Sequence, residues 1–295
     1  MKIAIYGKQI DSTNKKEVEN LLDLLIKKKV SLLFHRSIAH QMKQNGLDKF
    51  LNKQYFSTAK ELEGKEIDIL ISIGGDGTFL DTILLIREQP IPVIGVNTGR
   101  LGFLSNTPTS EIEKAVDILY HKDFKIEERT LLKMQSNSKL FGSENIALND
   151  ISILRSDSSS MITIDVKLDG KHLNTYWADG LIIATATGST AYSLSCGGPI
   201  LMPGSGNFVI TPIAPHNLNV RPIVVNECST IDIQVEGRSK RNLVVMDSRT
   251  EELKNGESLR ITKAKYKLQL IQTESYSFIN SLKGKLNWGL DKRNI

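Results

Sequence analysis

A chain of 295 residues with 40% apolar and 24% charged residues has an ordinary globular composition, which excludes a disordered or fibrous chain. Its 38 Lys and Arg against 33 Asp and Glu leave a net charge of +5, which favours anionic partners in general without choosing among nucleic acid, phosphorylated metabolites and acidic surfaces. At about 150 residues per domain the length predicts two lobes.

In chain order, residues 2–6 read as a short strand, and Val18, Leu21, Leu22 and Leu25 then repeat at helical spacing behind a cap at Ser12. Residues 30–34 read as a second strand, 38–51 as a helix, and 67–73 as an apolar strand suited to the middle of a sheet. That strand runs into Gly74-Gly75-Asp76-Gly77-Thr78, followed by a helical stripe over 79–86 and a strand over 91–96. Strand alternating with helix predicts a Rossmann-like α/β lobe with a parallel sheet.

The period then changes. Residues 161–168 and 171–177 alternate around Asp169-Gly170, the signal of a β-hairpin. Short β-rich runs follow at 181–186, 208–213, 229–235, 243–246, 258–262 and 267–271, and only Phe278, Leu282 and Leu286 return to helical spacing. The expected division is an α/β phosphate-binding domain over 1–125 with a returning segment 275–295, and a β-rich domain over 126–274.

Two cysteines, Cys196 and Cys228, form no Cys-x-x-Cys, and the five histidines show no zinc-ligand spacing, so neither a disulfide framework nor a metal site is expected. No run reaches the roughly 18 apolar residues of a membrane span, and the first apolar run is too short for a signal peptide. The expected compartment is the cytoplasm. The basic clusters at 27–29 and at Arg238, Lys240 and Arg241 lack aromatic interleaving, so a nucleic-acid partner is not expected, nor is a membrane.

The turn Gly74 to Thr78 stands where a buried strand meets a helix, the place in an α/β sheet where backbone N–H groups face phosphate. An acidic residue within an anion cradle is unfavourable without a task, which makes Asp76 the first candidate for chemistry; the plain alternative is a helix-capping carboxylate. Neither Gly-x-Gly-x-x-Gly nor a P-loop is present, since Leu80 stands where the former needs glycine. A second cluster combines Asp179-Gly180 with the hydroxyl-rich segment from Thr187 to Ser195, whose small residues suit a phosphate or ribose and whose Tyr192 could stack on a base. Asn149-Asp150 offers a donor and acceptors to sugar hydroxyls, or forms an Asx turn.

Taken in order, Gly74 to Thr78, Asn97 to Leu104, Asn149-Asp150, Asp179-Gly180, Thr187 to Ser195 with Gly197-Gly198-Pro199, the stretch from Thr211 to His216 and the closing Lys285-Leu286-Asn287-Trp288 resemble the NAD kinase family. The glycine turn alone is less specific, because diacylglycerol and sphingosine kinases carry a similar one. The resemblance implies Mg²⁺-dependent transfer of the γ-phosphoryl group of ATP to the 2′-hydroxyl of the adenosine ribose of NAD. It implies Asp76 as the base or orienting group, with Gly74, Gly75, Gly77, Thr78 and Phe103 around the phosphates. It further implies that Asn149, Asp150, Asp179, Thr187, Thr190, Ala191, Tyr192, Ser193, Leu194 and Ser195 bind the dinucleotide. Arg249 falls where relatives often place another polar residue of the acceptor site. Trp177 occupies a position where some relatives carry a basic residue, and Asp150 one where many carry glutamate. The family's lobes, returning helix and homodimers or homotetramers are expectations of the same kind. Two alternatives stand beside it: a lipid kinase of the diacylglycerol or sphingosine type, and a non-catalytic NAD-binding sensor.

Overall fold

The structure is a computed structural model that describes residues 1–99, 102–157, 160–237, 241–273 and 277–286. Arg100, Leu101, Asn287 and Trp288 of the family-like stretches, with Arg238 and Lys240 of the basic cluster, lie outside the described residues. The chain divides into two compact units, Met1–Glu127 with Gln269–Ile295, and Glu128–Leu268.

The first unit holds β1 (Lys2–Gly7), α1 (Lys15–Lys27), β2 (Ser31–His35), α2 (Arg36–Gln44), β3 (Tyr55–Phe56), β4 (Ile69–Ile73), α3 (Asp76–Ile86), β5 (Val93–Asn97), β6 (Thr107–Pro108) and α4 (Ile112–His121). Its strands run parallel in the order β3-β2-β1-β4-β5, with β6 on β5. All five residues of β4 are buried, as a strand covered on both faces requires. Val18, Leu21, Leu22 and Leu25 of α1 and Ile112, Val116 and Leu119 of α4 join one apolar core with the sheet. Strand order reverses between β1 and β4, whose C-terminal residues Gly7 and Ile73 are register partners, and such switch points are where open α/β sheets bind ligands.

The second unit takes in β7 (Lys125–Ser136, from Glu128), β8 (Ile146–Ala147), β9 (Asp150–Arg155), β10 (Ile162–Leu168), β11 (Lys171–Ala178), β12 (Gly180–Thr185), α5 (Tyr192–Ser195), β13 (Asn207–Ile213), β14 (Ile223–Asn226), β15 (Ile231–Glu236), β16 (Arg241–Met246), β17 (Arg249–Lys254) and most of β18 (Ser258–Gln272). One antiparallel sheet runs β14-β13-β12-β9-β16-β17; β11, β10, β15 and β18 pair antiparallel in another. Alternate residues of both, among them Ile151, Ile183 and Phe208 against Ile164, Val166 and Ile233, form one core. Each such side chain contributes roughly 1.5–3 kcal/mol on burial. After β18 the chain re-enters the first unit, where Leu270 pairs parallel with Val93 of β5 and α6 (Phe278–Leu286) follows.

Several local expectations need correction. Asn14, not Ser12, stands at the start of α1, and its Oδ1 accepts from the Asp11 N–H rather than from the helix. The helix expected over 38–51 stops at Gln44, because Gly46 takes a φ of +69° and reverses the chain before a single 3-10 turn. The two runs at 258–262 and 267–271 are parts of the single strand β18. Among the described residues no helix is long and apolar enough to cross a membrane.

Candidate active site

Asp76 opens α3, directly after the glycines that follow β4, and a carboxylate in the first helical turn is stabilised by the helix dipole. It does more than cap the helix. Asp76 Oδ2 accepts the backbone N–H of Phe103 at 2.8 Å, and Oδ1 accepts those of Leu104 at 3.1 Å and Ser105 at 2.8 Å. The turn that presents these donors is closed by the Gly102 N–H on the Ser105 carbonyl, which also accepts from Asn97 Nδ2. A Cβ on Gly102 would stand 1.8 Å from Asp76 Oδ1, so only glycine lets the turn close over the carboxylate. From α6, Lys285 Nζ reaches 3.8 Å from Oδ2 and 4.3 Å from the centre of the Phe103 ring. Burial pulls the Lys285 ammonium pKa down while the Asp76 charge opposes that shift.

Two carboxylates organise the second unit's candidate cluster. Asp247, in the turn between β16 and β17, accepts the N–H groups of Leu148 at 2.9 Å, Asn149 at 2.8 Å and Asp150 at 3.3 Å. Its backbone takes a φ of +51° and donates to the Asp150 carbonyl at 3.1 Å. Burial of its carboxylate pushes the pKa up, against the three N–H donors and the Arg249 charge. Asp150 itself is 6% exposed and accepts the Ser152 hydroxyl at 2.8 Å. Burial raises its pKa to about 6 against the Ser152 hydrogen bond, with the charge of Asp247 adding to the rise.

The Thr187 to Ser195 segment forms a 3-10 turn over Gly188–Thr190 and the short helix α5. It is anchored to the Asn149-Asp150 strand at backbone distance. Thr185 N–H donates to the Asn149 carbonyl at 2.9 Å, Thr185 Oγ1 donates to the Leu148 carbonyl at 2.6 Å and accepts the Gly188 N–H at 3.0 Å. A Cβ on Gly188 would meet the Asn149 carbonyl oxygen at 2.0 Å, so this contact too needs glycine. The Thr187 hydroxyl accepts from Arg129, and the Ser193 hydroxyl pairs with Thr211 in full burial.

The sequence-predicted residues therefore fall into two groups. In the first unit Asp76 and Phe103 are in direct contact, and Gly74, Gly75, Gly77 and Thr78 form the turn beside them. In the second unit Asn149, Asp150, Thr187, Thr190, Ala191, Tyr192, Ser193, Leu194 and Ser195 share one neighbourhood, with Tyr192 43% exposed. Asp179 is held in an ion pair with Arg155 at 3.1 Å. Trp177, 53% exposed, lies beside the His216 ring. Arg249, whose charge acts on Asp247, donates its guanidinium to the carbonyls of Glu144 and Ile146 over the Phe141 ring. Sequence reasoning missed Asp247 and Arg129 as members of this framework. The local signal for Asp247 was an acidic residue in a two-residue hairpin turn; its partners lie about a hundred positions away and left none.

The family model described as ATP-NAD kinase N-terminal domain matches residues 3–124, and that described as ATP-NAD kinase C-terminal domain matches residues 148–273. The NAD kinase of Cytophaga hutchinsonii is 44% identical over 295 residues, covering all of both chains. That of Bacteroides fragilis is 41% identical, covering 99% of this chain and all of the relative. Among solved structures, the yeast NADH kinase complexed with NADH superposes with a TM-score of 0.86 at 24% identity, covering 99% of this chain and 89% of that one. An NAD kinase from Archaeoglobus fulgidus in complex with ATP gives a TM-score of 0.74 at 24% identity, covering 97% and 99%. At that identity the two structures speak for the fold.

Proposed function

This chain belongs to the NAD kinase family, a family of phosphotransferases, and we propose that it transfers the γ-phosphoryl group of ATP to the 2′-hydroxyl of the adenosine ribose of NAD, forming NADP. The full-length match to relatives named NAD kinase carries this reading. The lipid-kinase and sensor alternatives have no support among the matched relatives.

In this reading the acceptor hydroxyl donates its hydrogen bond to Asp76 Oδ2. A carboxylate offers about four acceptor positions, and three are taken by the N–H groups of residues 103–105, two on Oδ1 and one on Oδ2. The remaining position is on Oδ2. The 2′-oxygen attacks the γ-phosphorus as the bond from phosphorus to the ADP oxygen breaks, and the hydroxyl proton passes to Oδ2 and on to water. A carboxylate is a weak base toward an alcohol, so most of the rate comes from alignment and charge neutralisation. Mg²⁺ carried with the donor would supply the charge neutralisation, at the phosphates that the Gly74 to Thr78 turn would hold. A Cβ on Gly75 or Gly77 would meet nothing within 4 Å among the described residues, which leaves the turn open for a phosphate to approach in this reading.

Asn149 and Asp150 bind ribose hydroxyls in this reading, Tyr192 stacks on a base, and the 190–195 segment contributes mainly backbone groups, because its Ser193 and Thr190 hydroxyls already serve Thr211 and the Thr187 carbonyl. The two free cysteines suit the cytoplasm. Exposed Leu218, Trp177 and Val224 suit a homodimer or homotetramer, whose size light scattering reads.

The test is an endpoint assay with purified protein, Mg²⁺, ATP and NAD, reading NADP through an NADP-specific dehydrogenase, beside Asp76→Asn. NADP from the wild type alone supports reaction and residue together. No NADP, while calorimetry still detects NAD binding, overturns the kinase reading in favour of a sensor.

A further inference from the structure

Asp76 Oδ2 is the oxygen with acceptor capacity left, and one charged side chain among the described residues is in ion-pair contact with it, Lys285 of α6. The lysine is not simply a surface cation. Its side chain is 28% exposed, and it lies across the face of Phe103, whose backbone N–H donates to the same Oδ2. Phe278, two turns earlier on α6, packs on that Phe103 ring with centroids 6.0 Å apart. Residue 103 is thus gripped three ways: by Asp76 through its backbone, by Lys285 on its ring face, and by Phe278 beside the ring. A lysine serving only solubility would extend its ammonium into water, which needs no such arrangement.

Resting on the kinase reading above, we propose that Lys285 is a positioning residue for the phosphoryl transfer, holding Asp76 Oδ2 aimed at the acceptor hydroxyl. At 3.8 Å the ammonium is too far to fill the last acceptor position of Oδ2 with a hydrogen bond, yet close enough to attract that oxygen and hold its direction. The substrate hydroxyl therefore finds an open acceptor beside a fixed positive charge. The fold supplies this charge from 209 positions along the chain, through the segment that re-enters the first unit after β18. The closing helix is in this way part of the reacting centre rather than only a cover for the sheet.

The experiment compares Lys285→Met, Lys285→Gln and Lys285→Arg in the full chain by steady-state kinetics with Mg²⁺, ATP and NAD, each with a melting curve. The two uncharged variants should lose about tenfold in kcat while KM for NAD and for ATP stays within about twofold, and Lys285→Arg should restore most of the loss. A lysine that only packs α6 would lower the melting temperature of both uncharged variants alike, and Arg would not restore kcat selectively. If the wild type makes NADP and an uncharged variant matches its kcat, or loses KM and kcat together, or Arg gives no rescue, this inference falls and the kinase reading stands. If the wild type itself makes no NADP, the kinase reading falls and takes this inference with it.

Discussion

Asp76 and Asp247 are built on one plan and end with different properties. Each carboxylate collects three consecutive backbone N–H groups, those of residues 103–105 for Asp76 and 148–150 for Asp247. Asp76 sits at a helix N-terminus with its side chain 32% exposed and a lysine facing it, so it keeps water access and an open acceptor position. Asp247 lies under the segment it organises, and its burial drives the pKa up against its backbone donors and the Arg249 charge. Identical donor sets and a basic neighbour therefore do not define a role; access does. On the proposed reading the first carboxylate is the one that reacts, while the second holds a strand entry in shape.

The largest effect that would break this comparison is expected at Asp76. Asp76→Asn should lower kcat by about a thousandfold, within the range of a lost general base, while NAD binding persists. An amide also sets an NH₂ group against at least one of the three backbone donors, so a local loss of about 1–2 kcal/mol should appear in the melting curve. Near-normal turnover by Asp76→Asn would reduce this carboxylate to the same structural office as Asp247.

Asp247→Ala should show the opposite division. It leaves three backbone N–H groups without their acceptor, a loss of about 3 kcal/mol seen by denaturant unfolding. With the Asn149-Asp150 entry loosened, KM for NAD should rise about tenfold while kcat at saturating NAD stays near the wild-type value. A fall in kcat without a change in KM would place Asp247 in the chemistry and erase the contrast.

Much of the scaffold for this contrast was legible in the sequence. The apolar run 69–73 ending in glycines carries its own meaning, as does the alternation around Asp169-Gly170, because period and turn chemistry are local. Helix α4 is legible too, with Ile112, Ala115, Val116 and Leu119 at helical spacing. The roles of Asp247, Arg129 and Lys285 could not be read, since their partners lie 58 to 209 positions away and nothing in a local pattern records a pairing made by the fold. The Asp76 carboxylate marks the boundary: its position in the glycine turn singled it out, whereas the three donors that orient it come from a turn 27 to 29 residues later.

A pH series on Asp150 sharpens the comparison further. Its folded pKa of about 6 exceeds the ordinary 3.8, so between those values the folded state holds a proton that the unfolded state has released. Asp150 thus lowers stability as pH rises through that window, by about 3 kcal/mol once both states are ionised. Asp150→Asn should remove that slope, raising the melting temperature at pH 8 relative to the wild type and changing it little at pH 4. NAD affinity should move the other way, because the ionised carboxylate is the stronger acceptor: the wild type should bind NAD more tightly at pH 7.5 than at pH 5, and the variant should lose that dependence. A wild-type stability that rises between pH 4 and pH 6 in a manner Asp150→Asn abolishes would reverse the assigned direction.

The smallest effect concerns Ser193, which tests whether the hydroxyls of the 187–195 segment face ligand or protein. Its Oγ lies 2.8 Å from Thr211 Oγ1, both residues are fully buried, and a Cβ on Gly198 would come within 2.2 Å of it. So enclosed a hydroxyl builds the wall of the cluster rather than reaching a ribose. Ser193→Ala should cost about 1 kcal/mol by leaving Thr211 short of a partner, and Ser193→Ala with Thr211→Val should recover most of it, because removing both polar groups leaves nothing unpaired. KM for NAD should stay within about twofold in both variants, the segment binding through its backbone. A tenfold rise in KM with unchanged stability would instead place this hydroxyl on the dinucleotide, and the segment would then resemble Asp76, a group held by the fold yet open to substrate, more than Asp247.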